Sequence, residues 1–252
     1  MRSLFLMNSY LILSDIHGNL SAFDAVIADC NTDISGVILL GDLIDYGMRS
    51  DEIIDRICKL SCDKWKDRIL CNIWGNHEKL IFDKDYNRLS SDRGRAIAKY
   101  TYSHLSPESI NYIDKSMDHS GSADLMIDGF KVLAVHGSSD DRYWKAISTD
   151  SLRGDYYDYD IVMSGHSHDS HFFTHYYPSD DPAHRNKKAV HFINPGSVGQ
   201  PRNHNPYAQY AILTLPSMRV ELRAVEYDIG YEQSLYTDEI DQFYRDRLNY
   251  GV

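Results

Sequence analysis

The sequence predicts an α/β protein built as a four-layer αββα sandwich, two mixed β-sheets face to face with helices outside both. Three observations carry that expectation. Short apolar runs recur along the 252 residues, each ending in a polar or glycine-containing turn, as buried strands do. Helix-like stretches separate the first three runs, which is the βαβ alternation of a parallel sheet. The second half then changes to closely spaced strands joined by turns, which asks for a second sheet.

Taken in order, Tyr10 to Leu13 is the first strand. It closes an apolar segment from Leu4 that is interrupted by Asn8 and Ser9 and lacks a small-residue cleavage site, so a core strand explains it better than a signal peptide. Leu20 to Ala28 follows Asn19 as N-cap, and Ser50 to Leu60 places Ile53, Ile54 and Ile57 at helical spacing. Gly36 to Leu40 and Ile69 to Trp74 are the strands between. Leu80 to Ile113 lacks strand character and is expected to be a helical insert, a lid over the site. Asp124 to Ile127, a turn at Asp128-Gly129 and Lys131 to Val135 form a hairpin. Ile161 to Met163, Phe172 to Tyr176, Ala189 to Ile193, Tyr210 to Leu215 and Arg219 to Val225 are further strands, and Gln233 to Leu248 is a closing helix. No internal repeat or long linker interrupts the series, so residues 1–252 are read as one domain.

Hydrophobic content of 42% and charged content of 25% are those of a soluble globular protein. A net charge of -11 argues against a broad grip on a nucleic-acid backbone, which needs an excess of Lys and Arg. It leaves room for a small phosphorylated substrate, because bound metals supply positive charge locally. No other stretch approaches the ~20 apolar residues of a membrane span. Cys30, Cys58, Cys62 and Cys71 form no CxxC pair and are read as reduced thiols of a cytoplasmic protein.

Twelve His residues against four Cys turn attention to metal binding. Metal ligands need lone pairs on rigid supports, and strand carboxyl ends in an α/β sheet present side chains together above one crevice. The strand-end turns carry Asp15 and His17, then Asp42, then Asn76 and His77, then His136, then His166 and His168. The spacing of two in Asp15/His17 and in His166/His168 puts each pair on one face by strand alternation. A lone Gly-Asp or Asn-His is usually a turn with a local hydrogen bond. Such turns in succession, each directly after an apolar run, point to a metal centre.

Written out, these turns are Asp15-Ile16-His17, Gly41-Asp42, Gly75-Asn76-His77, His136-Gly137 and Gly165-His166-Ser167-His168. The series resembles the signature of the calcineurin-like metallophosphoesterase superfamily, and the resemblance runs from about Tyr10 to Leu215. It implies that one metal is held by Asp15, His17, Asp42 and His168, and a second by Asp42, Asn76, His136 and His166, with Asp42 bridging. It implies in-line attack on phosphorus by a hydroxide shared between the metals. His77 becomes the proton donor to the leaving group or a stabiliser of the pentavalent phosphorus, and Asp45 either orients its imidazole or is an exposed turn or helix-cap acid. The mixed nitrogen and oxygen donors suit Mn, Fe, Co, Ni or Zn, with Mn or Fe favoured.

Protein phosphatases of this superfamily carry Gly-Asp-x-x-Asp-Arg-Gly, whose Arg clamps phosphate. Here Tyr46 stands in the Arg position, and a phenol cannot give a bidentate cationic grip. The Asn194-Pro195-Gly196-Ser197 turn is similar to that of the small prokaryotic phosphodiesterase branch, and Arg202 just beyond it either meets a phosphate or a second nucleotide moiety or is solvated beside a purely structural turn. Asn76, His77, Tyr46 and Arg202 are thus the expected substrate contacts. Tyr46, Tyr143, Trp144 and Tyr207 are candidates for stacking a base. His104, His119, His171, His175, His184, His191 and His204 are read as surface or core imidazoles. The expected function is hydrolysis of a phosphodiester or nucleotide-type substrate, dinucleoside polyphosphates included. A phosphomonoesterase and a non-catalytic scaffold of the same fold are the alternatives, and the Pro178 to Lys188 loop is expected to shape specificity.

Overall fold

The computed structural model describes residues 7–152 and 154–252. The Leu4 to Leu6 part of the first apolar run lies outside these residues. The strands are β1 (Asn8–Leu13), β2 (Gly36–Leu39), β3 (Ile69–Asn72), β4 (Ser122–Ile127), β5 (Phe130–Val135), β6 (Ile161–Ser164), β7 (His171–Pro178), β8 (Lys187–Asn194), β9 (Ala208–Leu215) and β10 (Arg219–Val225). The helices are α1 (Leu20–Asp29), α2 (Ser50–Cys62), α3 (Asn76–Phe82), α4 (Asp92–His104), α5 (Pro107–Ser116), α6 (Ile229–Ser234) and α7 (Gln242–Asp246). Among the described residues no helix is long and apolar enough to cross a membrane, and the four cysteines are free thiols.

One sheet runs β10-β9-β1-β2-β3 and the other β4-β5-β6-β8-β7. In the first, β1, β2 and β3 are parallel, and β9 returns antiparallel to β1 with β10 beside it. In the second, β5, β6 and β8 are parallel, while β4 and β7 are antiparallel edges. Alternation along each strand divides the core. Ile12, Ile38, Leu40 and Ile73 face inward onto Val132, Ala134, Ile161, Met163 and Ile193, and these side chains fill the space between the sheets. Leu11, Leu13, Val37 and Leu39 point the other way, onto Phe23 and Val26 of α1 and Ile53 and Ile57 of α2. Burying each such aliphatic side chain contributes about 1.5–3 kcal/mol, so both faces of the first sheet are firmly covered.

The αββα class stands, with a fourth layer that is irregular. Leu133, Val162, Val190 and Phe192 on the outer face of the second sheet are covered by Ile147, Leu152, Tyr156 and Tyr159, from a stretch that forms no helix among its described residues. Its Asp, Ser and Gly content gives turns, and its aromatics pack without a helical period.

The Gln233 to Leu248 segment corrects the expectation of one closing helix. It forms the end of α6, an irregular turn, α7 and a 3-10 turn at Arg247–Asn249. Asp241 accepts from the Phe243 N–H and starts α7 afresh, while Tyr236 turns away to donate to the Tyr46 carbonyl at 3.1 Å. Tertiary contacts there outweigh helical propensity. Residues 76–116 likewise form three α-helices and a 3-10 turn, because Ser91 and Ser106 each cap a new helix.

Candidate metal centre

The turns after β1 and β2 are stitched together before any side chain is considered. The Asp15, His17 and Gly18 amides donate to the Gly41, Asp42 and Leu43 carbonyls, each at 3.0 Å. On the other side, Val198 and Gly199 amides donate to Ser14 and Asp15 carbonyls, and Ser197 Oγ donates to the Asp15 carbonyl at 2.7 Å. Glycine permits one further approach. Gly41 has φ +90°, and a Cβ on Gly75 would lie 2.1 Å from Asp42 Oδ1, so these two turns touch only because both lack side chains.

Asp15, His17, Asp42, His166 and His168 have φ of 54°, 49°, 53°, 64° and 57°. Strand alternation therefore does not align Asp15 with His17 or His166 with His168. The strands have already ended at Leu13 and Ser164, and left-handed backbone aims the side chains instead. Such conformations cost about 1–3 kcal/mol each, and their concentration here marks a site shaped for chemistry.

Glu78 escaped the sequence reading. It is fully buried, and its carboxylate accepts from the Asp42, Leu43, Ile44 and Gly75 amides at 2.9, 2.7, 3.3 and 2.8 Å. Burial first, and then the Asp42 charge, push it up to about 7. It clasps the Gly41-Asp42 turn to the start of α3. The available signal was a Glu three residues after Gly75, the N3 acid of a helix start.

The candidate ligands converge. Asp15, His17, Asp42 and His168 offer donor atoms within 4.8 Å of one another, as do Asp42, His136 and His166. Asp42 Oδ2 faces both groups, 3.7 Å from His17 Nε2 and 3.3 Å from His136 Nε2. The Asn76 side-chain oxygen lies 2.9 Å from His136 Nε2 and 2.7 Å from His166 Nδ1.

Whether cations fit can be judged from the protons. His17, His136 and His168 each donate an Nδ1–H to a backbone carbonyl, of Ile44, Leu40 and Gln200, at 3.1, 2.7 and 2.5 Å. That fixes the tautomer and leaves Nε2 with a lone pair aimed inward. His17 Nε2 and His168 Nε2 then face each other at 3.2 Å, two acceptors with no proton between them. Asp15 Oδ1 and Asp42 Oδ2 are buried without a hydrogen-bond partner. Buried acceptors without donors are costly, and divalent cations satisfy all of them at once. Burial opposes charge on His136, but the Asp42 carboxylate prevails and lifts it to about 9. Burial lowers His17 and His168 and takes His166 down to about 4. Asp15 and Asp42 are held well below the usual carboxylate range, against burial, by His168 and His136 respectively.

His77 stands beside the cluster. Its Nδ1 donates to Asp45 Oδ2 at 2.6 Å, Thr101 donates to the other Asp45 oxygen at 3.0 Å, and His77 Nε2 lies 4.0 Å from Asp42 Oδ2. Asp45 is 0% exposed, which removes the solvated-turn alternative. Burial works against a charge on His77, yet Asp42 and Asp45 raise it above the ordinary imidazole range. Tyr46 packs on both His17 and His77, with centroids 4.7 and 4.5 Å away.

Asp42, Tyr46, Asn76, His77, His166 and His168 open into a cavity of about 140 Å³, whose rim adds Leu89, Trp144 and Arg202. Tyr143 instead donates to the His119 carbonyl, and Tyr207 to Glu226, so neither lines it. None of the seven remaining imidazoles joins either donor group; His119 stacks on Trp74 and His104 on Tyr100.

The sequence pattern of the calcineurin-like phosphoesterase superfamily domain matches residues 9–218. An uncharacterised protein of Methanocaldococcus jannaschii, MJ0912, is 27% identical over 256 residues, covering 95% of this chain and 97% of that protein. The crystal structure of a metallophosphoesterase from Sphaerobacter thermophilus superposes with a TM-score of 0.71 at 27% identity, covering 98% of this chain and 100% of the other. Hypothetical protein PH1004 of Pyrococcus horikoshii OT3 shares the fold, with a TM-score of 0.78 at 18% identity and coverage of 97% and 98%.

Proposed function

Because this chain belongs to the calcineurin-like phosphoesterase superfamily, we propose that it hydrolyses a small phosphodiester or nucleotide-type substrate with two divalent cations. Asp15, His17, Asp42 and His168 would hold one cation, and Asp42, Asn76, His136 and His166 the other. Bound there, the cations supply Lewis acidity to an attacking water and to the phosphoryl oxygens. The observation that carries this reading is the facing pair of lone pairs on His17 and His168, 3.2 Å apart beside an orphaned Asp15 oxygen.

The chain's own groups do the rest. Asn76 contributes a neutral oxygen, which limits the negative charge that would repel a phosphate. His77, anchored by Asp45, directs its Nε2–H toward the cavity. As the ester P–O bond breaks, that proton goes to the leaving oxygen, and the raised affinity of His77 for its proton keeps the donor loaded near neutral pH. Tyr46 walls the cavity with a neutral ring where a dianionic monoester would want a cation. That favours the singly charged diester.

The test is hydrolysis of bis(p-nitrophenyl) phosphate beside p-nitrophenyl phosphate, with elemental analysis of the protein. Two transition-metal equivalents and a diester preference support the reading. Monoester preference would transfer it to a phosphatase, and absence of both metal and turnover would leave a scaffold.

A further inference from the structure

The helical insert reaches His77 from behind, through Asp45. One oxygen of that carboxylate, Oδ2, accepts from His77 Nδ1 at 2.6 Å. The other, Oδ1, accepts from the hydroxyl of Thr101 in α4 at 3.0 Å, across 56 positions of sequence. Asp45 is 0% and Thr101 3% exposed, so solvent does not compete for either bond. Among the described residues the cavity is lined by His77 but not by Thr101. Any effect of the threonine on the chemistry must therefore pass through Asp45.

The surroundings hold both partners of that bond still. The Asp45 amide donates to Ser50 Oγ at the head of α2, at 3.1 Å. Ser106, which follows α4, donates to Asp51 Oδ1 of α2 through both its amide and its hydroxyl, each at 2.7 Å. The Asp45 backbone and the helix that bears Thr101 are thus fastened to the same element. One turn before Thr101, Ile97 is buried in a cluster with Tyr46, Tyr236 and Tyr244. A threonine within a helix ordinarily gives its hydroxyl to the preceding turn or to water, whereas this one is committed to a buried carboxylate. A carboxylate held through one oxygen still rotates about its Cβ–Cγ bond, and the imidazole bound to it swings with it. A donor on the second oxygen fixes that plane.

We propose that Thr101 is a positioning residue for the reaction: its hydroxyl fixes the Asp45 carboxylate and, through it, the direction in which His77 presents its Nε2–H to the leaving oxygen. This deepens the phosphoesterase reading and rests on it. The electron pair of the broken P–O bond passes to the leaving oxygen, which takes the His77 proton; Thr101 and Asp45 exchange none. The aim of His77 then matters in proportion to how much the leaving group needs a proton. A p-nitrophenolate departs without one, and the more basic phenolate is helped by it.

The test compares kcat of manganese-loaded protein on the p-nitrophenyl and the phenyl ester of thymidine monophosphate. Thr101→Val keeps the shape and removes the proton. It should slow the phenyl ester about tenfold more than the p-nitrophenyl ester, the order of one hydrogen bond to a charged group. Thr101→Ser should restore the ratio, and in an Asp45→Asn background Thr101→Val should cost nothing further. A readout without turnover is the downfield Nδ1–H proton resonance of His77 in metal-free protein, assigned by its loss in His77→Ala. It should move in Thr101→Val and return in Thr101→Ser. Thermal melting identifies a variant that fails to fold, and Thr101→Ala then takes its place. Equal slowing of both esters, no slowing of either, or an unmoved resonance overturns the role of Thr101 and leaves the phosphoesterase reading intact. Equal slowing of both esters by His77→Ala overturns the proton donor and Thr101 with it. Metal-loaded protein that cleaves neither ester overturns the reading beneath both.

Discussion

At the cavity floor three imidazoles are each braced from behind by a backbone carbonyl, His17 by Ile44, His136 by Leu40 and His168 by Gln200. At the rim, Trp144 is held through its amide to Asp141 at 3.0 Å and by Arg88 lying 5.1 Å from its ring. Among the described residues Arg202 there is tied only through its backbone, to the His168 carbonyl. The floor is preorganised to a single geometry, as charge stabilisation in a transition state demands. The rim carries fewer such braces, and Arg202 is exposed.

The contrast is broken most severely by Asp42→Asn. It weakens the shared ligand of both groups, and turnover and bound metal should disappear together in paired rate and elemental measurements; full activity would show that the floor is not the site. His77→Ala should lower kcat by about 10²–10⁴ while both metal equivalents stay, which separates proton delivery from cation holding. Asp45→Asn, acting only through His77, should cost about tenfold in kcat and shift the alkaline limb of the pH–rate profile downward. An unmoved limb would deny Asp45 its positioning role.

The metal-free protein offers a sharper view of the floor. His136, raised to about 9, contributes stability below its unfolded value of 6.5 that is lost as pH climbs toward 9. His17, His166 and His168 are lowered, so stability also falls as pH drops below 6.5. Metal-free melting temperature should peak near pH 6.5, and cation loading should flatten the alkaline side. A metal-free profile that is level from pH 6.5 to 9 would deny the pairing of protonated His136 with Asp42. The smallest effect belongs to the rim: Trp144→Ala should raise KM for a nucleotide ester about fivefold, roughly the 1 kcal/mol of one aromatic contact, with kcat little changed.

The same contrast governs what could be read without a structure. Ligand-bearing turns follow β-strands, and a strand end is visible in sequence as an apolar run stopped by Gly-Asp or Gly-Asn-His. Asn19 was legible as a cap, and its side chain does accept from the Ala22 amide. The left-handed backbone of Asp15 and His17 was hidden, because a spacing of two is equally compatible with strand alternation. Glu78 was hidden because, besides Gly75, its partners are backbone amides of a turn more than thirty positions away. The break between α6 and α7 depends on where Tyr46 lies in space, against Tyr236 and Tyr244, which no local periodicity encodes.

The stitching of the Ser14-Asp15 turn to Val198 and Gly199 also has a consequence in time. A ribosome adds about 5–20 residues per second, so Asp15 waits on the order of ten seconds or longer before the turn that completes its surroundings is made. Until then the Ser14-Asp15 turn lacks the Val198 and Gly199 amides that hold it. The first donor group therefore reaches its closed arrangement only after synthesis has passed Gly199.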